Sequence, residues 1–214
     1  MNQTSVYNKE AFLEIVKDRR SVRTYDENIK ISKEEMTEIL SVATKAPSST
    51  NIQPWRFVVI DSPEAKATLA PLAMFNQQQV TTSSAVIAVF ADMNNLDYLE
   101  EIYGKAVEQG LMPEDVRDRQ VPAIRGLLGS RTDQANKESI LIDSGLVSMN
   151  LMLTAKAYGY DTCPIGGYEK DKIAEAFDLE KDRYVPVMLL SIGKAVDPGY
   201  ASYRLPVDQI AEWK

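Results

Sequence analysis

Pro47-Ser48-Ser49-Thr50-Asn51-Ile52-Gln53-Pro54 runs directly into Trp55-Arg56-Phe57-Val58-Val59-Ile60. The second stretch is rich in β-branched and aromatic residues and reads as a strand. The first is a stiff loop of short donors and acceptors, and its turn formers also suit an ordinary connection. Upstream, Ser32-Lys33-Glu34-Glu35 has the pattern of a capping box, with Ile31 and Met36 placed as a hydrophobic staple. Met36, Ile39, Leu40 and Ala43 then form the buried stripe of a helix ending near Ala46-Pro47. An earlier helix is predicted from Asn8 to Lys17, with Phe12, Ile15 and Val16 on one face.

Downstream, Pro63 opens a helix at its first position. Ala85 to Ala91 is an unbroken apolar run, the pattern of a strand buried on both faces. Leu96 to Gln109 and Pro113 to Leu128 read as charged helices. Glu138 to Tyr158 reads as one long helix, apolar nearly all round, as in a core or an interface. Its Ser144, Gly145 and Ser148 leave room for another backbone, while Asp143, Asn150 and Lys156 argue against a membrane span. Tyr184 to Ile192 reads as a third strand, with Pro186 at an edge or a bulge. The tail from Gly193 to Lys214 is too apolar for mere fray and is expected to lie across another surface, a second subunit's included. The fold class is α+β, in one domain spanning 1–214.

The chain has 214 residues, with 24 Lys and Arg against 31 Asp and Glu, a net charge of −7. That balance argues against a general preference for nucleic acid. A single cysteine, Cys163, excludes an intrachain disulfide and any CxxC motif. Histidine is absent. This removes Ser-His-Asp and Cys-His catalysis and every histidine metal site. Proton chemistry near neutrality is left to a shifted carboxylate, Lys, Tyr, Cys163 or a bound cofactor. The start, MNQTSVYNKE, has no basic-then-apolar signal, and no 18-residue apolar run occurs, so a cytoplasmic protein is expected.

Five clusters carry polar chemistry. Arg19-Arg20-Ser21-Val22-Arg23 follows a helix; guanidiniums suit phosphate, and cations at a helix C-terminus also simply balance its dipole. The 47–55 loop is the second. Phe75-Asn76 with Gln79 places two amides on one helix face. Pro164-Ile165-Gly166-Gly167-Tyr168 lets a ligand approach backbone, or is a tight turn. Gly193-Lys194 and Tyr203-Arg204-Leu205-Pro206 add two cations, for a phosphate or for the solvent. No GxGxxG fingerprint or P-loop is present.

In this order and spacing the five clusters resemble the nitroreductase family of FMN-dependent oxidoreductases, from about Ala11 to Arg204; PSSTNIQPW before a strand is the most specific part. The resemblance implies an intertwined α+β homodimer with a central, mostly antiparallel sheet flanked by helices. Two FMN molecules would sit at the interface, each touched by both subunits. Arg19, Arg20 and Ser21 would hold the phosphate and ribityl chain, and Arg23 the pyrimidine edge, where negative charge collects on reduction. Pro47, Ser48, Ser49 and Asn51 would reach the flavin from the other subunit. Asn76 and Gln79 would meet the ring edge. Pro164, Ile165, Gly166 and Gly167 would face the ring, with the Gly166 amide toward N5. Lys194 and Arg204 would lie on the phosphate side.

Three departures from the family pattern stand out. Gln79 replaces a common Lys, which should stabilise the reduced flavin less. Gly166 stands where some relatives have Glu, and Ser202 where a second cation is common. The implied reaction passes hydride from NADH or NADPH through flavin N5 to a small-molecule electron acceptor, in ping-pong order. Nitroaromatics, quinones and free flavins are the family's acceptors. No general base is required and no metal or membrane is implied. Residues 94–136 have no clear counterpart; Tyr98, Tyr103, Arg117, Arg119 and Arg125 would serve a helical lid or a solvated hairpin. Same-fold dehalogenation, ring oxidation or reduced-flavin cleavage, and a non-catalytic FMN carrier, are the alternatives.

Overall fold

The computed structural model describes residues 8–214; the first seven residues of the MNQTSVYNKE start lie outside them. Its hub is β2 (Ala85–Asp92), buried at every position. Alternate side chains of a strand point to opposite faces. Val86, Ala88 and Phe90 accordingly join one core cluster, and Ala85, Ile87 and Val89 another. β1 (Trp55–Ile60) and β4 (Tyr184–Gly193) flank β2. β3 (Asp161–Ile165) pairs with the far side of β4, giving the order β1-β2-β4-β3. Every pairing in the sheet is antiparallel; an isolated Ser21–Thr162 bridge is parallel.

The first face is covered by α3 (Pro63–Leu69), α4 (Gln77–Thr82) and α8 (Lys170–Ala176), through Leu69, Val80, Ile173 and Ala174. The opposite face is covered by α2 (Lys33–Ala43) and α7 (Asp133–Ala157), through Met36, Ile39, Ala43, Leu151, Met152 and Ala155. A third cluster joins α5 (Leu99–Glu108) and α6 (Glu114–Gly129) to Ile52 of the loop before β1. α1 (Lys9–Asp18) is capped by Asn8 and buries none of its residues.

Several sequence expectations change. The Pro164–Gly167 stretch is not simply a turn, because its first half ends β3, so Tyr184–Gly193 is the fourth strand. Pro164 masks the strand pattern, and a proline is tolerated here because β3 is an edge. Of the two places expected for Pro186, the structure has the bulge, in a central strand: Val89 faces Met188 but Phe90 faces Pro186, leaving Val187 extra. α2 stops at Ala43, short of Pro47. α7 starts earlier than its apolar run, where Thr132 Oγ1 accepts from the Ala135 amide at 3.2 Å. By length and composition α7 qualifies to cross a membrane, but half of that window is buried against the protein. Ser144 and Ser148 point into the fold, whereas Ile142, Leu146 and Met149 form an exposed apolar stripe.

The Ser32 cap holds: its Oγ accepts from the Glu35 amide at 3.1 Å, and Ile31 packs with Met36. The Glu35 carboxylate turns elsewhere and accepts from the Tyr160 hydroxyl at 2.7 Å. Burial and this bond raise the Tyr160 pKa from 10.0 to about 12. The folded state therefore holds the phenol proton more tightly than the unfolded chain. That stabilisation is complete below pH 10 and is lost as the pH rises toward about 12. Tyr160→Phe is expected to flatten this alkaline loss in urea titrations between those pH values, and an unchanged slope would refute it.

Candidate active site

Segment 19–25 lies along the outer edge of the sheet. The Val22 amide donates to Thr162 O at 3.1 Å. Tyr25, 2% exposed, donates its hydroxyl to Val22 O at 2.8 Å and lies 2.8 Å from Ser191 Oγ. This anchoring sets Arg19 and Arg23 near Cys163 on β3. Burial pushes the Cys163 thiol up, while Arg23, the Gln79 amide and Arg19 pull it down. Beyond β3, Gly167 O accepts from Asn76 Nδ2 at 2.9 Å, and Asn76 Oδ1 accepts from Gln79 Nε2 at 3.0 Å. Gln79 is buried, so the glutamine run is not a plain surface face. A side chain on Gly167 would meet Asn76 Nδ2 at 3.4 Å, whereas nothing lies within 4 Å of that position on Gly166. Arg19, Ser21, Arg23, Asn76, Gln79 and Pro164–Gly167 thus gather around one sheet edge.

Among the described residues, Arg19, Arg20 and Arg23 form no salt bridge, although the chain carries a net charge of −7. Arg20 folds back on the carbonyls of Lys17 and Arg19. Arg23 lies over the Tyr200 ring, 5.5 Å from its centroid. The tail crosses here at Gly199, where a φ of +67° disfavours a side chain and an added Cβ would stand 3.0 Å from Ser21 O. Lys194 is committed to Gly159 O at 2.9 Å. Among the described residues, Arg204 bonds within its own exposed segment, to Ser202 Oγ at 2.7 Å and Tyr203 O at 3.0 Å.

Pro47, Ser48, Ser49 and Asn51 stand elsewhere. Their loop enters β1, the opposite edge of the sheet from β3. Three strand spacings, ~14 Å, separate those edges. Thr50, Asn51 and Gln53 all have left-handed backbones, with φ of 49°, 54° and 49°. Such non-glycine residues need support from their surroundings. Ser48 Oγ accepts from the Gln53 amide at 3.0 Å, and the Tyr103 hydroxyl donates to Thr50 O at 3.1 Å. The Ser49 amide donates to both oxygens of Asp143 on α7, each at 3.1 Å. Sequence reasoning overlooked Asp143 as a site residue; an acid within the apolar stretch of that helix was its signal.

Residues 94–136 form the α5–α6 pair beside this loop. Arg125 pairs with Glu100 at 2.6 Å, Arg117 with Glu114 at 2.9 Å, and Arg119 with Asp115 at 3.1 Å. The three arginines are thus tied up on the helices. Tyr98 lies under the Arg56 guanidinium at 4.4 Å. With Asn51, Gln53 and Trp55 they line a cavity of about 670 Å³.

Residues 16–194 match the model of the nitroreductase family. The chain is 72% identical over 203 residues to the "Putative NAD(P)H nitroreductase YdgI" of Bacillus subtilis, covering 95% of this chain and 97% of that one. A crystal structure of a "putative nitroreductase in complex with FMN" from Exiguobacterium sibiricum superposes with a TM-score of 0.94 at 73% identity, over 95% of this chain and 97% of that chain. A "putative NAD(P)H:FMN oxidoreductase" from Staphylococcus epidermidis gives 0.93 at 46% identity, over 95% of each chain. The matched span includes the 19–23 segment, the 47–53 loop, Asn76, Gln79, Pro164–Gly167 and Lys194 and ends before the 202–206 stretch, and the chain belongs to the nitroreductase family.

Proposed function

We propose that the protein is an FMN-dependent NAD(P)H oxidoreductase that works as a homodimer and reduces small-molecule acceptors such as nitroaromatics or quinones. The observation that carries the reading is the set of arginines without acidic partners beside an amide-lined, glycine-rich edge. The donor set fits FMN. Arg19, Arg20 and Ser21 supply cationic and hydroxyl donors for a phosphate and polyol. Asn76, Gln79 and the backbone at Gly166–Gly167 supply amide groups for a polar ring edge. Bound FMN supplies reversible hydride chemistry that no side chain here offers. Arg23 would supply positive charge near the ring's polar edge and would favour negative charge there on reduction. A Cβ on Gly166 would meet nothing within 4 Å, so no neighbouring side chain crowds that backbone, and in this reading NAD(P)H and the acceptor use the exposed ring face in turn, in ping-pong order. Neither Lys194 nor Arg204 reaches this set in one protomer, and both are kept as phosphate-side candidates for the dimer.

Two features support the dimer. The 47–53 loop and the arginine cluster flank opposite edges, so a partner's loop would complete the site. The accessible surface is 13122 Å², against roughly 9,900 Å² for a folded monomer of this mass. The excess includes the α7 stripe and tail residues such as Tyr200, Tyr203 and Trp213, the last 91% exposed.

The test is the visible spectrum of protein reconstituted with FMN, titrated anaerobically with NADH and NADPH. A yellow protein that bleaches is expected; absence of flavin binding at micromolar concentration overturns the reading. Arg23→Ala is expected to weaken FMN binding by about 1.5–3 kcal/mol or to slow bleaching. Unchanged affinity together with unchanged bleaching would remove Arg23 from the site.

A further inference from the structure

The Asp143 residue is 5% exposed, in the middle of α7. Among the described residues it has no salt bridge, and its one hydrogen-bond donor is the Ser49 amide. A buried carboxylate so sparsely paired works against stability. Val147, one turn on, and Ile140, three residues back, are fully buried apolar side chains, so an apolar residue suits the position. The reason for an acid lies across the contact. Ser49 begins a short 3-10 turn, Ser49–Asn51, whose first amides lack internal acceptors. The usual cap is missing, because Ser48 makes no capping bond and its Oγ is taken by Gln53. Asp143 supplies the acceptor from another element. Just after Ser49 the backbone is left-handed at Thr50, Asn51 and Gln53, with Ile52 between them at φ −77°.

We propose that Asp143 is a positioning residue: by holding the Ser49 amide it keeps the 47–53 loop in the shape that meets the cofactor bound beside a partner protomer's arginines. The proposal rests on the FMN reading above. It separates the loop's shape from the stability of the fold. Tyr103 and Arg56 brace the loop farther on, at Thr50 O and Gln53 O, so loss of Asp143 frees the Ser48–Thr50 end without detaching the whole loop.

The test compares D143L, which fills the volume without an acceptor, with D143N, which keeps one accepting oxygen. Amide exchange across residues 48–53 is read in the apoprotein, and FMN affinity by titration. In D143L, exchange of the loop is expected to speed up about tenfold or more, with β2 unchanged, and FMN affinity to fall by a similar factor. D143N is expected to stay within about threefold of the natural protein in both. A D143L protein with natural FMN affinity overturns the proposal, whether or not its loop loosens. So does a D143N protein as weak as D143L. Should D143L not fold, D143N decides alone: preserved loop protection and affinity support the proposal, and their loss overturns it. Failure of the natural protein to bind FMN shows in its own titration and removes the functional reading first.

Discussion

Phe90→Ala is expected to destabilise the protein by about 3–5 kcal/mol. At this chain length that corresponds to a fall in Tm of about 6–20 °C. Phe90 is 1% exposed and lies on the central strand β2, among Ile60, Val80, Ile165, Tyr168 and Leu189. The cavity left behind is walled by strands hydrogen-bonded on both sides, so little collapse can fill it. The bulge at Val187 lies directly across from Phe90 and fixes the local twist, which limits relaxation further. Chemical denaturation of the purified variant measures the loss. A change below about 1 kcal/mol would mean that the core there repacks freely.

Arg183→Ala should cost a comparable amount, about 3–5 kcal/mol. Asp92 ends β2 with a side chain that is 0% exposed. Arg183 grips it with two bonds of 2.9 Å, Arg56 stands off at 3.4 Å, and the Asn94 amide donates at 3.0 Å. Losing the bidentate partner leaves the buried charge to the longer Arg56 contact and the Asn94 amide alone, and the penalty is that of an under-paired buried carboxylate. Arg125→Ala is the matched control. Its 2.6 Å bridge to Glu100 lies in solvent, with both side chains about half exposed, and such pairs contribute ~0–1 kcal/mol. Equal losses in the two variants would refute the distinction drawn from burial.

The parts of the fold that were legible in the sequence are those governed by local pattern. The Ser32 cap, the Trp55–Ile60 strand and the buried run from Ala85 follow from side-chain period and capping chemistry, and the structure has them. β3 was hidden because its strand character comes from pairing with β4, not from its own residues, which include a proline. Half of the candidate site was legible as isolated clusters. Residue pattern alone did not show them converging, and only the family resemblance put them together, since the bridge from Ser21 to Thr162 and the bond from Asn76 to Gly167 join residues far apart in the chain. Asp143 was visible only as an anomaly in an apolar helix. Its partner is a backbone amide, which no residue letter records.

The placement of the 47–53 loop and the arginine cluster on opposite margins of one sheet has a consequence, under the proposed function, for how the protein is loaded. Under the dimer reading, neither margin alone encloses a flavin, so occupancy becomes a function of total protein concentration as well as of free FMN. Dilution then empties the site by mass action with no change in any residue that touches the ligand. Conversely, saturating flavin draws protomers together, and the cofactor acts as an assembly factor as much as a reagent. A chain damaged at the loop and a chain damaged at the arginine cluster would, when mixed, share one intact site between them.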